Sequence, residues 1–129
     1  MNKFSLLLCA LFLIACQPVA VAGAYKDISP VDLNAALQNK DFIFVNVHIP
    51  FEGDIASTDL SIPFDQLTQP DNLALLPSDK DARIVLYCMS GRMSQIAANE
   101  LVALGYTDVW NLDGGMIQWA QQGYAIQGR

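Results

Sequence analysis

Ile84-Val85-Leu86-Tyr87 is an unbroken apolar run that ends on Cys88, and a short glycine-containing loop then leads into a segment with helical periodicity. A strand with no polar alternation cannot lie with one face in water, so it must be covered on both sides. Strands alternating with helical segments then argue for a parallel sheet between two helical layers. Phe42 to Val47 is a second continuous β-favouring run, and Thr107 to Trp110 reads as a third, shorter one.

Helical segments fall between these strands. Ser29-Pro30 has the form of an N-cap followed by proline at the first helical position, and Leu33, Ala36 and Leu37 then share one face to about Asn39. Met93 to Leu104 forms a helix with Met93, Ala97, Leu101 and Leu104 on its apolar face, and Gly105 closes it. Gly114-Gly115 breaks the last strand, and Met116 to Gln122 forms a terminal helix. Tyr25 to Ile28 is a short first strand, Leu60 to Pro63 another, and Phe64 to Leu67 one helical turn. Pro70 to Ala82 reads as mostly loop, with a short helix near Leu73 to Leu76. The expected fold is α/β, a single domain with a central parallel sheet of about five strands and helices on both faces.

The N-terminus stands apart from this pattern. Lys3 supplies an early positive charge, and Phe4 to Ala15 is an apolar run of signal-peptide length. It falls short of the roughly 20 residues that span a membrane. The run ends Leu13-Ile14-Ala15-Cys16, which resembles the lipobox of bacterial lipoproteins. That resemblance implies cleavage before Cys16 and lipidation of Cys16, and Gln17 in the next place resembles outer-membrane sorting. Cleavage after Ala22-Gly23-Ala24, as in an ordinary secreted protein, is the alternative. The division expected is a signal peptide over 1–15, a tether over 16–24 and the domain over 25–129. Cys9 leaves with the signal peptide. The location expected is the bacterial envelope, on the periplasmic side and anchored through lipid, with the outer membrane favoured.

Without Lys3 the chain keeps six Lys and Arg against thirteen Asp and Glu, a formal charge of −7. No basic run is present, which argues against nucleic acid as a partner and against charge-driven lipid binding. Cys88 is then the lone cysteine of an exported domain, and an unpaired cysteine in that setting suggests a reactive thiol or an intermolecular bond. One cysteine and one histidine cannot build a thiolate metal site. Ligands of parallel α/β sheets bind beyond the carboxyl ends of the strands, which is where Cys88 stands. Backbone N–H groups and a helix N-terminus there favour a thiolate.

From Val45 onward the chain resembles the rhodanese domain family of sulfurtransferases. Tyr87-Cys88-Met89-Ser90-Gly91-Arg92-Met93-Ser94 is similar to the family's strand–cysteine–loop–helix element with its C-x-x-G core. Gly105-Tyr106, Val109 to Gly115 and Trp119 are similar to its closing strand, Gly-Gly pair and tryptophan, and Phe44 to His48 with Ile62-Pro63 form a third, weaker block. The resemblance implies a double displacement: Cys88 takes the outer sulfur of a small donor such as thiosulfate, becomes a persulfide, and passes the sulfur to cyanide or a thiol. It implies a loop of Met89, Ser90, Gly91, Arg92 and Met93 around the sulfur, with no cofactor and no metal. Arg92 is the one cation near the cysteine in sequence and is the candidate guide for an anionic donor.

The chain departs from the family pattern at several places. Asn46 and His48 stand where the family usually has aspartate and arginine, Gly53-Asp54-Ile55 where it often has Gly-His-Ile, and Met93 where it often has a basic residue. These changes bear on substrate preference. Ser90 and Ser94 are candidates to hydrogen-bond the anion, although Ser94 is favoured as a helix cap; Met93 is expected as a core residue, His48 as structural rather than a base, and Asp113 as a turn residue. Trp110, Trp119 and Tyr106 are expected as packing residues.

Two other functions compete. A phosphatase or arsenate reductase of this fold needs a longer loop with an arginine six places after the cysteine, and that place holds Ser94. A non-enzymatic persulfide carrier or redox-sensing envelope lipoprotein needs only the cysteine. The oligomeric state is not set by the sequence.

Overall fold

The computed structural model describes residues 23–129. The expected signal segment, Cys9 and the lipidation site Cys16 lie outside the described residues. The element order is β1 (Lys26–Ile28), α1 (Pro30–Ala36), β2 (Ile43–Asn46), β3 (Leu60–Ser61), α2 (Pro70–Leu73), β4 (Ile84–Tyr87), α3 (Arg92–Ala103), β5 (Val109–Leu112) and α4 (Gly115–Gln121). A 3₁₀ turn, Leu37–Asn39, extends α1.

The five strands form one sheet in the order β1-β5-β4-β2-β3, and every pairing is parallel. The run that opens the sequence is the central strand β4, buried along its whole length. Alternate residues of β4 feed two cores. Ile84, Leu86 and Cys88 pack with Ala97, Ala98 and Leu101 of α3, while Val85 and Tyr87 pack with Leu33 of α1 and Met116 and Trp119 of α4. The unbroken hydrophobicity of this strand is therefore used on both faces, as a doubly covered sheet requires.

The local signals account for the helix ends. Ser29 Oγ accepts from the Asp32 N–H at 3.1 Å and caps α1. At the other end of α3, Gly105 N–H donates to Val102 O at 3.0 Å and Tyr106 N–H to Leu101 O at 3.2 Å, a Schellman closure. Tyr106 and Leu101 then lie in the same core.

Several expectations need correction. β5 is Val109–Leu112 and not Thr107 to Trp110, because its register is set by β4 and β1 while the Thr107 N–H goes to Lys80 O at 2.9 Å. The short helix α2 starts at Pro70 rather than near Leu73, with Pro70 in its first turn. Phe64 to Leu67 forms hydrogen-bonded turns and not a helix. The buried face of α3 is Ser94, Ala97, Ala98 and Leu101; Leu104 is exposed, and Met93 only borders the core. Trp119 and Tyr106 are buried packing residues as expected. Trp110 is half-buried, with Lys26 Nζ 5.1 Å from its ring centre.

Asp108 joins the starts of β4 and β5. Burial alone tends to raise its pKa, but hydrogen bonds from Trp110 Nε1 (2.6 Å) and Arg83 Nε (3.0 Å) outweigh this and hold it below the ordinary aspartate value. A lowered folded pKa means stability that is present above the unfolded value and lost as pH falls through the folded one. In urea titrations stepped from about pH 5 to about pH 2, the wild type therefore loses more stability than Asp108→Asn. The difference is about 1 kcal/mol at most, because the pair is partly exposed. Parallel acid profiles for the two proteins contradict this account of Asp108.

Candidate active site

Cys88 follows β4 directly and is 1% exposed. The chain turns away from the sheet there and must re-enter as α3. Gly91 makes that turn with φ of +106°, a backbone conformation that side chains rarely adopt. The turn brings the Gly91 N–H to 3.0 Å from Cys88 Sγ. The first N–H groups of α3, beginning at Arg92, have no partner inside the helix and stand beside the sulfur in sequence. An anion bound here meets backbone donors and the positive end of a twelve-residue helix.

The loop is held from behind by α4. The Met116 N–H donates to Cys88 O at 2.9 Å and the Ile117 N–H to Met89 O at 3.0 Å. The unpaired donors of one helix terminus thus satisfy the loop carbonyls, and the loop presents its N–H groups to the other side. This contact explains the Gly-Gly pair. Gly115 has φ of +59°, and a Cβ there would lie 2.5 Å from both Cys88 O and Met89 O.

Ser94 is not the helix cap; Gly91 occupies that position. Ser94 is fully buried inside the first turn of α3, with its Oγ 3.3 Å from Cys88 Sγ, 3.1 Å from Gly91 O and 2.5 Å from Asn111 Oδ1. The Nδ2 of Asn111 reaches Asp27 Oδ1 at 2.9 Å. Neither Asn111 nor Asp27 stands out in the sequence, since each lies within a strand far along the chain from Cys88. A polar residue at a buried strand position is the one signal that Asn111 carried.

The five loop positions differ in placement. Met89 borders the α1–α4 core and, with Glu52 and Arg129, lines a cavity of about 380 Å³. Ser90 and Arg92 are exposed, and Met93 borders the α3 core. Arg129 is a second cation near the loop that sequence proximity does not reveal. An antiparallel bridge between Asp54 and Gln127 brings it there, with N–H···O distances of 2.8 and 2.7 Å.

Two departures from the resembled pattern meet in space. Asn46 is fully buried, and its Nδ2 donates to Asp54 Oδ1 and to Gly53 O, both at 2.9 Å, while its Oδ1 accepts the His48 N–H at 3.0 Å. His48 Nε2 lies 2.6 Å from Glu52 Oε2, which ties the ring to its own loop. Tyr87 reaches the same loop through its hydroxyl, which accepts from the Ile55 N–H at 3.0 Å and lies 2.7 Å from Thr58 Oγ1. Burial raises the pKa of that hydroxyl well above the ordinary tyrosine value, so it stays neutral.

Two substitutions test the construction. Gly115→Ala pushes a methyl group into the loop carbonyls and lowers stability by about 2 kcal/mol or more, read by urea unfolding. An unchanged midpoint contradicts the close approach. Asn46→Asp sets one carboxylate against another and costs about 1–3 kcal/mol, part of which Asp54→Asn restores in the double variant.

Comparison with known proteins follows this geometry. A family model described as the rhodanese-like domain matches residues 31–122. The tRNA uridine(34) hydroxylase of Erwinia tasmaniensis is 31% identical over 104 residues, covering 78% of this chain and 29% of the hydroxylase. The chain therefore spans less than a third of the length of that relative. A rhodanese-like domain protein from Staphylococcus aureus superposes with a TM-score of 0.64 at 31% identity, covering 80% of this chain and 99% of that one. A NAD-dependent persulfide reductase from A. fulgidus superposes with a TM-score of 0.59 at 29% identity, over 74% of this chain and 16% of that one.

Proposed function

The chain belongs to the rhodanese-like domain family, and from that premise we propose that it is a sulfurtransferase working through a Cys88 persulfide. The observation that carries this reading is the buried Cys88 sulfur, which accepts the Gly91 N–H at 3.0 Å at the mouth of α3. The similarity to a persulfide reductase supports sulfane-sulfur chemistry at such a domain.

With thiosulfate as donor, the Cys88 thiolate forms a bond to the outer sulfur while the donor's S–S bond breaks. The electron pair leaves on sulfite, and the negative charge stays on the new terminal sulfur. Cyanide or a thiolate then takes that sulfur and returns the thiolate. This divides one transfer into two displacements. The persulfide anion is held by N–H groups of the loop and of the first turn of α3. Arg92 at the start of α3 and Arg129 beside Met89 are the cations that can attract an anionic donor.

The similar hydroxylase acts, by its name, on tRNA. This chain carries a formal charge of −6 and no basic run, which argues against RNA as its substrate. On the reading of Met1 to Cys16 as a lipoprotein leader, the domain works in the cell envelope, held by lipid on Cys16. A carrier role that stores sulfur without turnover is the second reading, favoured by the 1% exposure of Cys88.

Intact mass after incubation with thiosulfate should show one added sulfur, absent in Cys88→Ser. Cyanide should then discharge it with release of thiocyanate over many cycles. A single discharge without turnover supports the carrier, and no adduct from any sulfane donor rules out both. The same spectrum of protein from its native envelope reports lipid on Cys16.

A further inference from the structure

A chain of three side chains runs from the Cys88 sulfur across the sheet to the exposed edge strand β1. Ser94 Oγ is 3.3 Å from Cys88 Sγ and 2.5 Å from Asn111 Oδ1, and Asn111 Nδ2 is 2.9 Å from Asp27 Oδ1. Ser94 and Asn111 are fully buried, whereas Asp27 is exposed.

Donor and acceptor roles are settled by elimination. An ionised Asp27 only accepts, so it takes the Asn111 amide N–H and turns the Asn111 carbonyl toward Ser94. Ser94 has one proton, and both Asn111 Oδ1 and Gly91 O can only accept it. The short contact to Asn111 holds that proton away from sulfur. The side of Ser94 Oγ that faces Cys88 is then a lone pair, which suits a thiol S–H and opposes a thiolate. For Ser94 to stabilise the thiolate, its proton must leave Asn111 Oδ1, which then stands buried without a donor. Gly91 N–H acts in the opposite sense, since it favours the thiolate.

We propose that Asp27 is a positioning residue for the nucleophile: by fixing the Asn111 amide it keeps the Ser94 proton off the Cys88 sulfur and sets how readily that sulfur ionises. The control is exerted from a residue 61 places earlier in the chain, on the edge strand of the sheet, whereas Cys88 follows the central one. It rests on the reading of Cys88 as nucleophile, but its test needs no sulfur donor. The other charged side chains near this path are Lys26 beside Asp27, Asp113 at the end of β5 and Arg92 at the start of α3, with His48, Glu52 and Arg129 on the Met89 side.

Ionisation of Cys88 is followed by ultraviolet thiolate absorbance against pH, as a difference from Cys88→Ser. In Asp27→Ala the Asn111 amide is free to turn over and donate to Ser94, whose proton is then shared between Gly91 O and the sulfur. The midpoint should fall by about half a pH unit, roughly a threefold gain in thiolate below the midpoint. Asp27→Asn keeps a carbonyl for the Asn111 N–H and should titrate like wild type. In the Ser94→Ala background, Asp27→Ala should have no effect. Equal shifts in Asp27→Ala and Asp27→Asn reveal a plain charge effect and overturn the proposal, as does an unmoved midpoint or a shift that survives without Ser94. Both Asp27 variants lie at an exposed edge position, so their comparison stands even where Ser94→Ala fails to fold. Loss of persulfide formation with these shifts intact counts against the sulfurtransferase reading alone.

Discussion

The seating of α4 on the Cys88 loop is the contact on which the rest of the site depends. A loop that turns its N–H groups toward a ligand necessarily turns carbonyls the other way, and buried carbonyls without donors are costly. Here the helix terminus that follows β5 supplies the donors, at 2.9 Å to Cys88 O and 3.0 Å to Met89 O. The same two hydrogen bonds place Met116 and Trp119 in the core beneath α1. One contact therefore orients the anion-binding face, closes one helical layer and requires glycine at 115.

Cysteine reactivity in this site is a balance between opposed hydrogen bonds. The Gly91 N–H favours negative sulfur, while the Ser94 oxygen, as Asn111 and Asp27 hold it, favours the thiol. In the proposed persulfide the charge sits on the outer sulfur, one atom beyond the Cys88 Sγ that Ser94 contacts. An arrangement that restrains the resting thiol therefore need not oppose the loaded form.

Much of the fold was legible because it follows from local chemistry. Unbroken apolar runs, the Ser29-Pro30 start, Gly105 and the Gly-Gly pair each act through neighbouring residues. The limits of β5 were not legible, because parallel pairing to two strands sets them and Thr107 goes to Lys80 instead. Ser94 read as a cap for a related reason. Serine before a helical run is ordinary capping chemistry, and only the left-handed turn at Gly91 moves the helix start back and places Ser94 inside. Asn46 and Asp54 looked like two separate departures, and their compensation is visible only where Asn46 Nδ2 meets the carboxylate.

Legible along the chain alone are the sheet covered on both faces, the thiol at the carboxyl end of its central strand, and the glycines that allow the loop to form. Those features depend on residue chemistry over a few neighbours. Folding settled what surrounds the cysteine loop: Ser94 beside the sulfur, with Asn111 behind it and Asp27 behind Asn111, and Glu52 and Arg129 around Met89. Hydrogen bonds act over about 3 Å, and it is the sheet order β1-β5-β4-β2-β3, not proximity along the chain, that brings Asp27 of the first strand within that reach of Asn111 of the last.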